Sequence, residues 1–284
     1  MDRPSLIFSC AGYELDLGKR THIMGVLNIT SDSFYDGEAS LDVGAALKRA
    51  GKMVEEGADI IDVGGESTRP GAMPVPSDEE RKRILPVIRE IRKNFPIPIS
   101  VDTYKSETAD AALAEGADII NDVGGLRRDP LMAGVAARYK AGVVVMHMLG
   151  TPRTMQDSPV YGDLMKEIGE YLGEGIDIGT RAGISRDRFI VDPGIGFGKT
   201  TAHNLTILKN LSTFLDLNKP ILVGLSRKSF LGQITGLPVQ ERLEGSLAAS
   251  VIAILNGASI LRTHDVKETK RAAEVADLFR NGST

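Results

Sequence analysis

The 284-residue sequence contains no tryptophan, one cysteine and four histidines. The single cysteine, Cys10, cannot form a disulfide within the chain, which excludes a small secreted fold held together by disulfides. The same scarcity excludes zinc sites built from Cys and His at the usual spacing. We therefore expect a reducing compartment and a cytoplasmic location.

Long apolar runs are also missing. The longest stretch without a charged residue covers residues 245–261, and its serines, glycines and asparagine make it too polar, as well as too short, to span a bilayer. The first ten residues include Asp2 and Arg3 and lack an apolar run, so we expect no signal peptide. We accordingly expect no membrane partner.

The chain has no excess of positive charge that would hold nucleic acid or an anionic membrane. Its 34 Lys and Arg stand against 38 Asp and Glu, which gives a formal net charge of −4. We therefore expect no nucleic-acid partner, and a bound anion must be held by a local group of residues. The composition, 42% hydrophobic and 25% charged, is that of a folded globular protein. The length fits one large α/β domain better than two smaller ones.

What the sequence does contain is an internal repeat. The segment EGADIIDVGG at residues 56–65 returns as EGADIINDVGG at residues 115–125. In both copies a glycine follows a helical pattern, where a left-handed C-cap is typical. A short apolar run comes next, as in a strand buried on both faces. The same succession recurs along the chain and predicts alternating helices and strands.

Eight apolar runs are candidate strands, and a helical pattern follows each of them. They lie near residues 22–28, 59–64, 97–102, 118–123, 142–147, 188–193, 220–225 and 258–263. Alternating strands and helices imply right-handed crossovers and a parallel sheet. Eight units, at roughly 35 residues each, favour a closed barrel over an open sheet. We predict a single α/β domain over residues 1–284, a (β/α)8 TIM barrel, with a short N-terminal β-hairpin in residues 1–20 that caps its bottom.

Polar residues concentrate at the C-terminal ends of the predicted strands, where the catalytic groups of this fold lie. Asn28 ends the first strand, and Arg262 and His264 end the last, which becomes its neighbour when the barrel closes. Arg262 and His264 lie two residues apart, so both point to one face and outline an anion clamp. The amide of Asn28 could ligate Mg²⁺ together with phosphate oxygens. A surface arginine and a hydrogen-bonded histidine are the alternative.

Four further polar residues, Asp102, Asn121, Asp192 and Lys228, come from four other strand ends. Carboxylates and an amide can pair with a heterocycle rich in N–H groups, while a lysine donates to a carbonyl or a ring nitrogen. Together the four could bind one flat ligand. A structural ion pair between a buried aspartate and the lysine is the alternative.

The glycine-rich segment VDPGIGFGKT, residues 191–200, contains two false motifs. The position at which a P-loop requires glycine is Pro193, and the glycine spacing does not match G-x-G-x-x-G. Two interpretations remain for Gly194, Gly196 and Gly198: a mobile loop, or a close approach of the backbone to a ligand.

Eight segments at these strand ends carry a more specific signal. In order they are IMGVLNITSDSF, DVGGESTRPGA, VDTYKSE, INDVGGL, VMHMLGTPRTMQ, VDPGIGFGKT, LSRKSFLG and RTHDV. Together they strongly resemble the bacterial dihydropteroate synthases, over a range from about Thr21 to Val266. Tyr35 and Gly124 depart from the family pattern, in which serine is common at both positions, and neither is a predicted site residue.

The resemblance implies a transferase of folate biosynthesis that binds Mg²⁺ and forms a homodimer. Such an enzyme condenses 6-hydroxymethyl-7,8-dihydropterin diphosphate with 4-aminobenzoate and gives 7,8-dihydropteroate and pyrophosphate. Carried over to this sequence, the catalytic residues are Asp102, Asp192 and Lys228. The implied binding residues are Asp102, Asn121, Asp192 and Lys228 for the pterin, Asn28, Thr68, Arg262 and His264 for the diphosphate, Arg69, Pro70, Ser229, Phe34 and Phe197 for 4-aminobenzoate, and Asn28 for the metal.

Two alternatives keep the fold but change the function. The first is a barrel that binds methyltetrahydrofolate for a corrinoid methyl-transfer system, which needs the pterin residues but not the diphosphate clamp. The second is a non-catalytic paralogue that binds a pterin as a sensor. The presence of Arg262, His264 and the TSDSF segment favours the synthase over both.

Overall fold

The computed structural model describes residues 6–29, 35–36, 40–67, 71–151 and 153–281. The strands are β1 (Ile7–Cys10), β2 (Tyr13–Asp16), β3 (His22–Asn28), β4 (Tyr35–Asp36), β5 (Ser40–Leu41), β6 (Ile60–Gly64), β7 (Ile99–Asp102), β8 (Ile119–Asp122), β9 (Gly142–Met146), β10 (Phe189–Asp192), β11 (Ile221–Gly224) and β12 (Ala258–Thr263). The helices are α1 (Val43–Glu55), α2 (Ser77–Asn94), α3 (Ser106–Ala114), α4 (Met132–Tyr139), α5 (Leu164–Arg181), α6 (Thr201–Lys209), α7 (Ser229–Thr235), α8 (Leu243–Leu255) and α9 (Val266–Asn281).

Eight of these strands form a closed barrel. They run parallel in the order β3, β6, β7, β8, β9, β10, β11, β12, and β12 pairs with β3 to close the ring. Each of the eight predicted runs contains one barrel strand, so the (β/α)8 TIM barrel is confirmed. In the described part of the chain, no helix is long and apolar enough to cross a membrane.

On four of the barrel strands the inward-facing positions change from apolar at the bottom to polar at the top. The lower layer consists of the buried side chains Met24, Ile60, Ile119, Val144, Ile190, Leu222 and Ile260. Because side chains alternate along a strand, the residue two positions later faces inward again. On β6, β8, β10 and β12 that residue is Asp62, Asn121, Asp192 and Arg262. The outward positions pack against the helices in a larger apolar cluster.

The N-terminal hairpin closes the bottom of the barrel, as the sequence predicts. Strands β1 and β2 pair antiparallel, and Phe8, Cys10 and Leu17 join the lower apolar layer. The Ala11 amide at the hairpin turn donates to the Lys140 carbonyl at 3.0 Å, just before β9. Burial raises the pKa of the Cys10 thiol to about 12, so this cysteine stays protonated and unreactive.

Both copies of the internal repeat form the same local structure. Gly57 and Gly116 follow α1 and α3 with φ of 96° and 106°, which confirms the predicted left-handed ends of these helices. The aspartate two residues later accepts a hydrogen bond from the first part of the preceding barrel strand. Asp59 accepts from the Ile23 amide at 2.8 Å, and Asp118 accepts from the Ile99 amide at 2.9 Å. The repeat therefore ends a helix and pins the next strand to its neighbour.

Gly142→Ala is expected to lower the free energy of unfolding by about 1–3 kcal/mol through overpacking. A Cβ at this position would lie 2.4 Å from Phe8 Cζ and 2.8 Å from Cys10 Cβ, so the hairpin must shift. Gly134→Ala is the matched control, because Gly134 is exposed in α4 and a Cβ there meets nothing within 4 Å. It is expected to stabilise the protein by about 0.5–1 kcal/mol. Urea unfolding measures both effects, and equal stabilities of the two variants would contradict the packing of the hairpin.

Candidate active site

A group of polar side chains lines the upper end of the barrel. Four consecutive strands end at or near polar residues or a glycine: Asn28, Gly64, Asp102 and Asn121. In the strand register Asn28 is opposite Gly64, Gly64 is opposite Asp102, and Asp102 is opposite Asn121. Asp192 ends β10, and Arg262 lies on β12 next to β3. The parallel arrangement therefore brings residues from distant parts of the chain to one mouth.

Arg262 lies between two buried carboxylates. Its Nε donates to Asp62 Oδ2 at 2.6 Å and its Nη2 donates to Asp102 Oδ2 at 2.6 Å. The second oxygen of each carboxylate, Oδ1, is buried and has no hydrogen-bond partner among the residues that the structure describes. Two carboxyl groups thus share one guanidinium in a site largely shielded from water.

The pKa of Asp102 is raised to about 7. Burial is the largest cause, and it is opposed by Arg262 and reinforced by Asp62, Glu80 and Asp122. Burial alone would lower the pKa of Arg262, but the two carboxylates raise it above its ordinary value, so the guanidinium stays charged. Near neutral pH the cluster can therefore gain or lose a proton at Asp102.

Asp62 is a site residue that the sequence interpretation missed. It is fully buried on β6, and besides Arg262 it contacts Asn121, whose Nδ2 donates to Asp62 Oδ2 at 3.2 Å. The signal that would have found it is the repeat. Asp62 follows two isoleucines in the first copy, as Asn121 does in the second, so the two residues take equivalent places on β6 and β8.

Asp192 and Lys228 form the other side of the mouth. Asp192 Oδ1 accepts from the Gly194 amide at 2.7 Å, and burial raises the pKa of this carboxyl. Lys228 Nζ donates to the Ile195 carbonyl and lies 4.7 Å from the centre of the Phe197 ring. Burial lowers the pKa of Lys228 to about 8, although Asp192 opposes this shift. An ammonium group is thus placed beside a carboxylate and an aromatic face.

For the glycine-rich segment after β10, both interpretations left open by the sequence stay predictions, and the structure adds the contacts that the segment makes within the protein. Gly194, Gly196 and Gly198 all have positive φ, and a Cβ at Gly194 would lie 1.9 Å from the carbonyl oxygen of His147. A Cβ at Gly198 would lie 2.6 Å from the Leu149 side chain. Two of the glycines therefore allow a close approach to the segment that follows β9, that is, to the protein itself.

Lys199 fixes this segment from within. Its buried Nζ lies 2.8 Å from His147 Nδ1 and 3.0 Å from the Phe197 carbonyl. Burial lowers the pKa of Lys199 well below its ordinary value, and burial together with Lys199 lowers the pKa of His147 to about 3. The lysine that resembled part of a P-loop is thus an internal contact.

The remaining predicted residues lie at the edge of the mouth or outside the described residues. His264 Nδ1 lies 3.1 Å from Ser226 Oγ, whereas Arg262 is turned to the carboxylates; their joint action as an anion clamp stays a prediction. Ser229 begins α7 and is exposed. Four residues predicted to contact the diphosphate or 4-aminobenzoate lie outside the described residues: Phe34, Thr68, Arg69 and Pro70.

Asn28, the predicted magnesium ligand, has its side-chain oxygen close to Gly64. A Cβ at Gly64 would lie 3.6 Å from Asn28 Oδ1 and 3.7 Å from Asp102 Oδ2, so both oxygens lie close to this glycine. Across the described residues, no cluster of three or more His, Cys, Asp or Glu side chains could hold a metal ion. One amide oxygen supplemented by ligand phosphates and water is nevertheless a donor set that Mg²⁺ accepts.

Comparison with known proteins is consistent with this geometry. The family model described as pterin binding enzyme matches residues 24–264, and the chain belongs to that family. A curated relative from Clostridium beijerinckii, named dihydropteroate synthase, is 46% identical over 94% of this chain and 97% of its own length. The name of this relative favours the synthase over a methyl-transfer barrel or a non-catalytic paralogue.

Solved structures extend the likeness to the whole fold. The dihydropteroate synthase of Yersinia pestis, in complex with a sulfonamide drug, has a TM-score of 0.91 and 42% identity, covering 97% of this chain and all of its own. The enzyme of Xanthomonas albilineans with 4-aminobenzoic acid has a TM-score of 0.90 and 43% identity, covering 98% of this chain and 99% of its own.

Asp102→Asn is expected to change how the stability of the free protein depends on pH. The pKa of Asp102 is about 7 in the folded protein and 3.8 in the unfolded chain, so the folded protein binds the proton of this carboxyl more tightly. The stability that this binding contributes is complete below pH 3.8 and is lost as the pH rises from about 4 to about 7. The free energy of unfolding of the variant should therefore rise relative to the wild type over that range.

Urea unfolding at several pH values between 4.5 and 8 measures this difference. Asp59→Asn is the matched control, because Arg20 and the Ile23 amide outweigh burial and hold the pKa of Asp59 below its usual value. Its difference from the wild type should stay constant over the same range. A constant difference for Asp102→Asn as well would show that Asp102 does not titrate near neutral pH.

Proposed function

We infer that the protein catalyses dihydropteroate synthesis. In this reaction the pterinylmethyl group of 6-hydroxymethyl-7,8-dihydropterin diphosphate is transferred to the amine of 4-aminobenzoate, and pyrophosphate is released. The observation that carries the inference is the group of Asp102, Asn121, Asp192 and Lys228 at one barrel mouth, beside the charged Arg262, in a chain of the pterin-binding family.

The pterin is proposed to lie between the acidic and basic sides of the mouth. A pterin presents N–H groups along one edge and a carbonyl next to them, so carboxylate and amide acceptors with one lysine donor complement it. Asp192 is held by the Gly194 amide and Asn121 by Asp62, so both acceptors are fixed before a ligand arrives. The half-buried Phe197 covers the lysine side of this site.

The diphosphate is proposed to lie toward Asn28, Thr68, Arg262 and His264. Mg²⁺ held by Asn28 and the diphosphate oxygens would neutralise negative charge on the leaving group. The C–O bond to the pterin methylene breaks, and its electron pair leaves with pyrophosphate. The carboxylates of Asp102 and Asp192 stabilise the positive charge that develops on the pterin. The aniline nitrogen then attacks the methylene and loses a proton to water.

The proposed 4-aminobenzoate site comprises Phe34, Arg69, Pro70, Phe197 and Ser229. The exposed position of Ser229 at the start of α7 and the location of Phe197 above Lys228 support a second substrate at the outer edge of the mouth. The cytoplasmic location expected from the single cysteine stays a prediction.

Pyrophosphate release from the dihydropterin diphosphate is the direct test of this function. Release should require both 4-aminobenzoate and Mg²⁺, and dihydropteroate should form in equal amount. Chelation of the metal should abolish the release. Pterin binding without coupled product would contradict the synthase and would favour a binding protein.

Asp102→Asn should lower kcat about 100-fold or more, because it removes a charge that faces the developing cation. Asp122→Asn is the matched control. Asp122 is also buried, but its carboxylate accepts from the Gly124 and Leu126 amides in the segment that follows β8. Its kcat should stay within a fewfold of the wild type. Equal losses of kcat in the two variants would remove the stabilising role from Asp102.

The protein is proposed to be a homodimer that associates through α8 and α9. These helices pack against each other and expose large apolar side chains: Ile252, Leu255, Val275, Leu278 and Phe279. Several exposed apolar residues on neighbouring helices are typical of an interaction surface.

Light scattering coupled to size-exclusion chromatography should give a mass of about twice 30.5 kDa for the wild type. Leu278→Arg should shift the protein toward the monomer. Leu131→Arg is the control, because Leu131 is 68% exposed next to α4, away from both helices. A wild-type monomer would contradict the proposed dimer.

A further inference from the structure

One oxygen of Asp62 joins two residues that the proposed function places in different parts of the site. Asp62 Oδ2 accepts from Arg262 Nε at 2.6 Å and from Asn121 Nδ2 at 3.2 Å. The three residues lie on β6, β12 and β8, and Asp62 is fully buried. Asp62 therefore lies behind the site, in contact with one predicted pterin residue and one predicted diphosphate residue.

The contact with Asp62 decides how the Asn121 amide is oriented. A carboxylate only accepts hydrogen bonds, so Asn121 must turn its nitrogen toward Asp62. The opposite orientation would bring two oxygens together at this distance. The amide oxygen of Asn121 is consequently turned away from Asp62, where it can accept a hydrogen bond from an N–H group of a ligand.

The contact also fixes the plane of the Arg262 guanidinium. Asp62 holds Nε while Asp102 holds Nη2, so two carboxylates on neighbouring strands determine both the position and the tilt of the group. An arginine held only by Asp102 could rotate about that single contact.

A purely structural ion pair would not require this arrangement. Asp102 alone balances the charge of Arg262, and a second buried carboxylate leaves Asp62 Oδ1 without a partner among the described residues. Buried unpartnered carboxylate oxygens are costly, and their retention points to a role in binding.

We propose that Asp62 is a positioning residue that couples the two halves of the site: it orients the Asn121 amide to accept from the pterin and holds Arg262 for the diphosphate. The proposal rests on the function proposed above. It makes the site selective for a heterocycle whose edge donates hydrogen bonds, and it predicts that one residue that touches neither ligand affects the binding of both.

Calorimetric titration of the full-length protein with 6-hydroxymethylpterin, and separately with pyrophosphate and Mg²⁺, tests the proposal. Asp62→Asn should weaken the binding of each ligand about tenfold or more, the effect of a lost charge-assisted hydrogen bond. Asp118→Asn is the matched control. Asp118 is also a buried aspartate paired with an arginine, Arg92, but it lies just before β8, at the other end of the barrel. The Asp118→Asn variant should have a lower free energy of unfolding and unchanged affinities for 6-hydroxymethylpterin and for pyrophosphate with Mg²⁺.

A double-mutant cycle separates positioning from general damage to the fold. If Asp62 acts on the pterin through Asn121, Asp62→Asn should change pterin affinity less than about threefold in an Asn121→Ala background. An additive loss would mean that Asp62 does not act through Asn121. If Asp62→Asn fails to fold, Asp62→Ser is used in the same cycle, since its hydroxyl is smaller and can also accept.

Wild-type affinities in Asp62→Asn, or additive losses in the cycle, would overturn the proposal. Dihydropteroate formation by the wild type is measured in parallel. Product formation together with unchanged affinities in the variant would refute the role of Asp62 alone. Absence of product from the wild type would refute the proposed function, while the pterin cycle would still decide whether Asp62 orients Asn121.

Discussion

The ion cluster around Arg262 is the interaction on which the rest of the mouth depends. Arg262 reaches from β12 past β3 to carboxylates on β6 and β7, and Asp62 extends the contact to Asn121 on β8. Polar contacts therefore link strands on half of the barrel. Because each group is buried, removing one charge changes the electrostatic environment of all the others. The geometry of the site is in this sense a collective property of the cluster.

Such a cluster lowers the stability of the folded state, and the layers below and around it compensate. The inward positions just beneath the cluster are apolar on every barrel strand except β7, where Ser100 is buried, and the outward positions pack against the helices. The repeat adds hydrogen bonds at the opposite end of the barrel, where Asp59 and Asp118 hold neighbouring strands together. Rigid lower and outer layers allow the upper layer to keep charges that a structure built only for stability would lack.

Much of this architecture can be predicted from the sequence because it is encoded locally. A strand buried on both faces, a glycine after a helix and a polar residue at a strand end are each visible within about ten residues. The repeat indicates the place of Asp62 on its strand, but the ion pair of Asp62 with Arg262 could not be predicted because the two residues are 200 positions apart. The close approach of Gly194 to the His147 carbonyl was not predicted for a similar reason, because His147 follows a different strand. Distant residues could be brought together on paper only through the closure of the barrel or through motifs that resembled a known family.

The N-terminal hairpin determines the route by which a ligand can enter and leave the barrel. Phe8, Cys10 and Leu17 fill the lower end of the barrel together with its apolar layer. A molecule held between Asp102, Asn121 and Asp192 therefore has no exit past that layer and must return through the mouth by which it came. Any partner bound above it stands in its way. The site is thus open at one end only. A molecule held deep in the barrel can leave only after any molecule bound nearer the mouth has left.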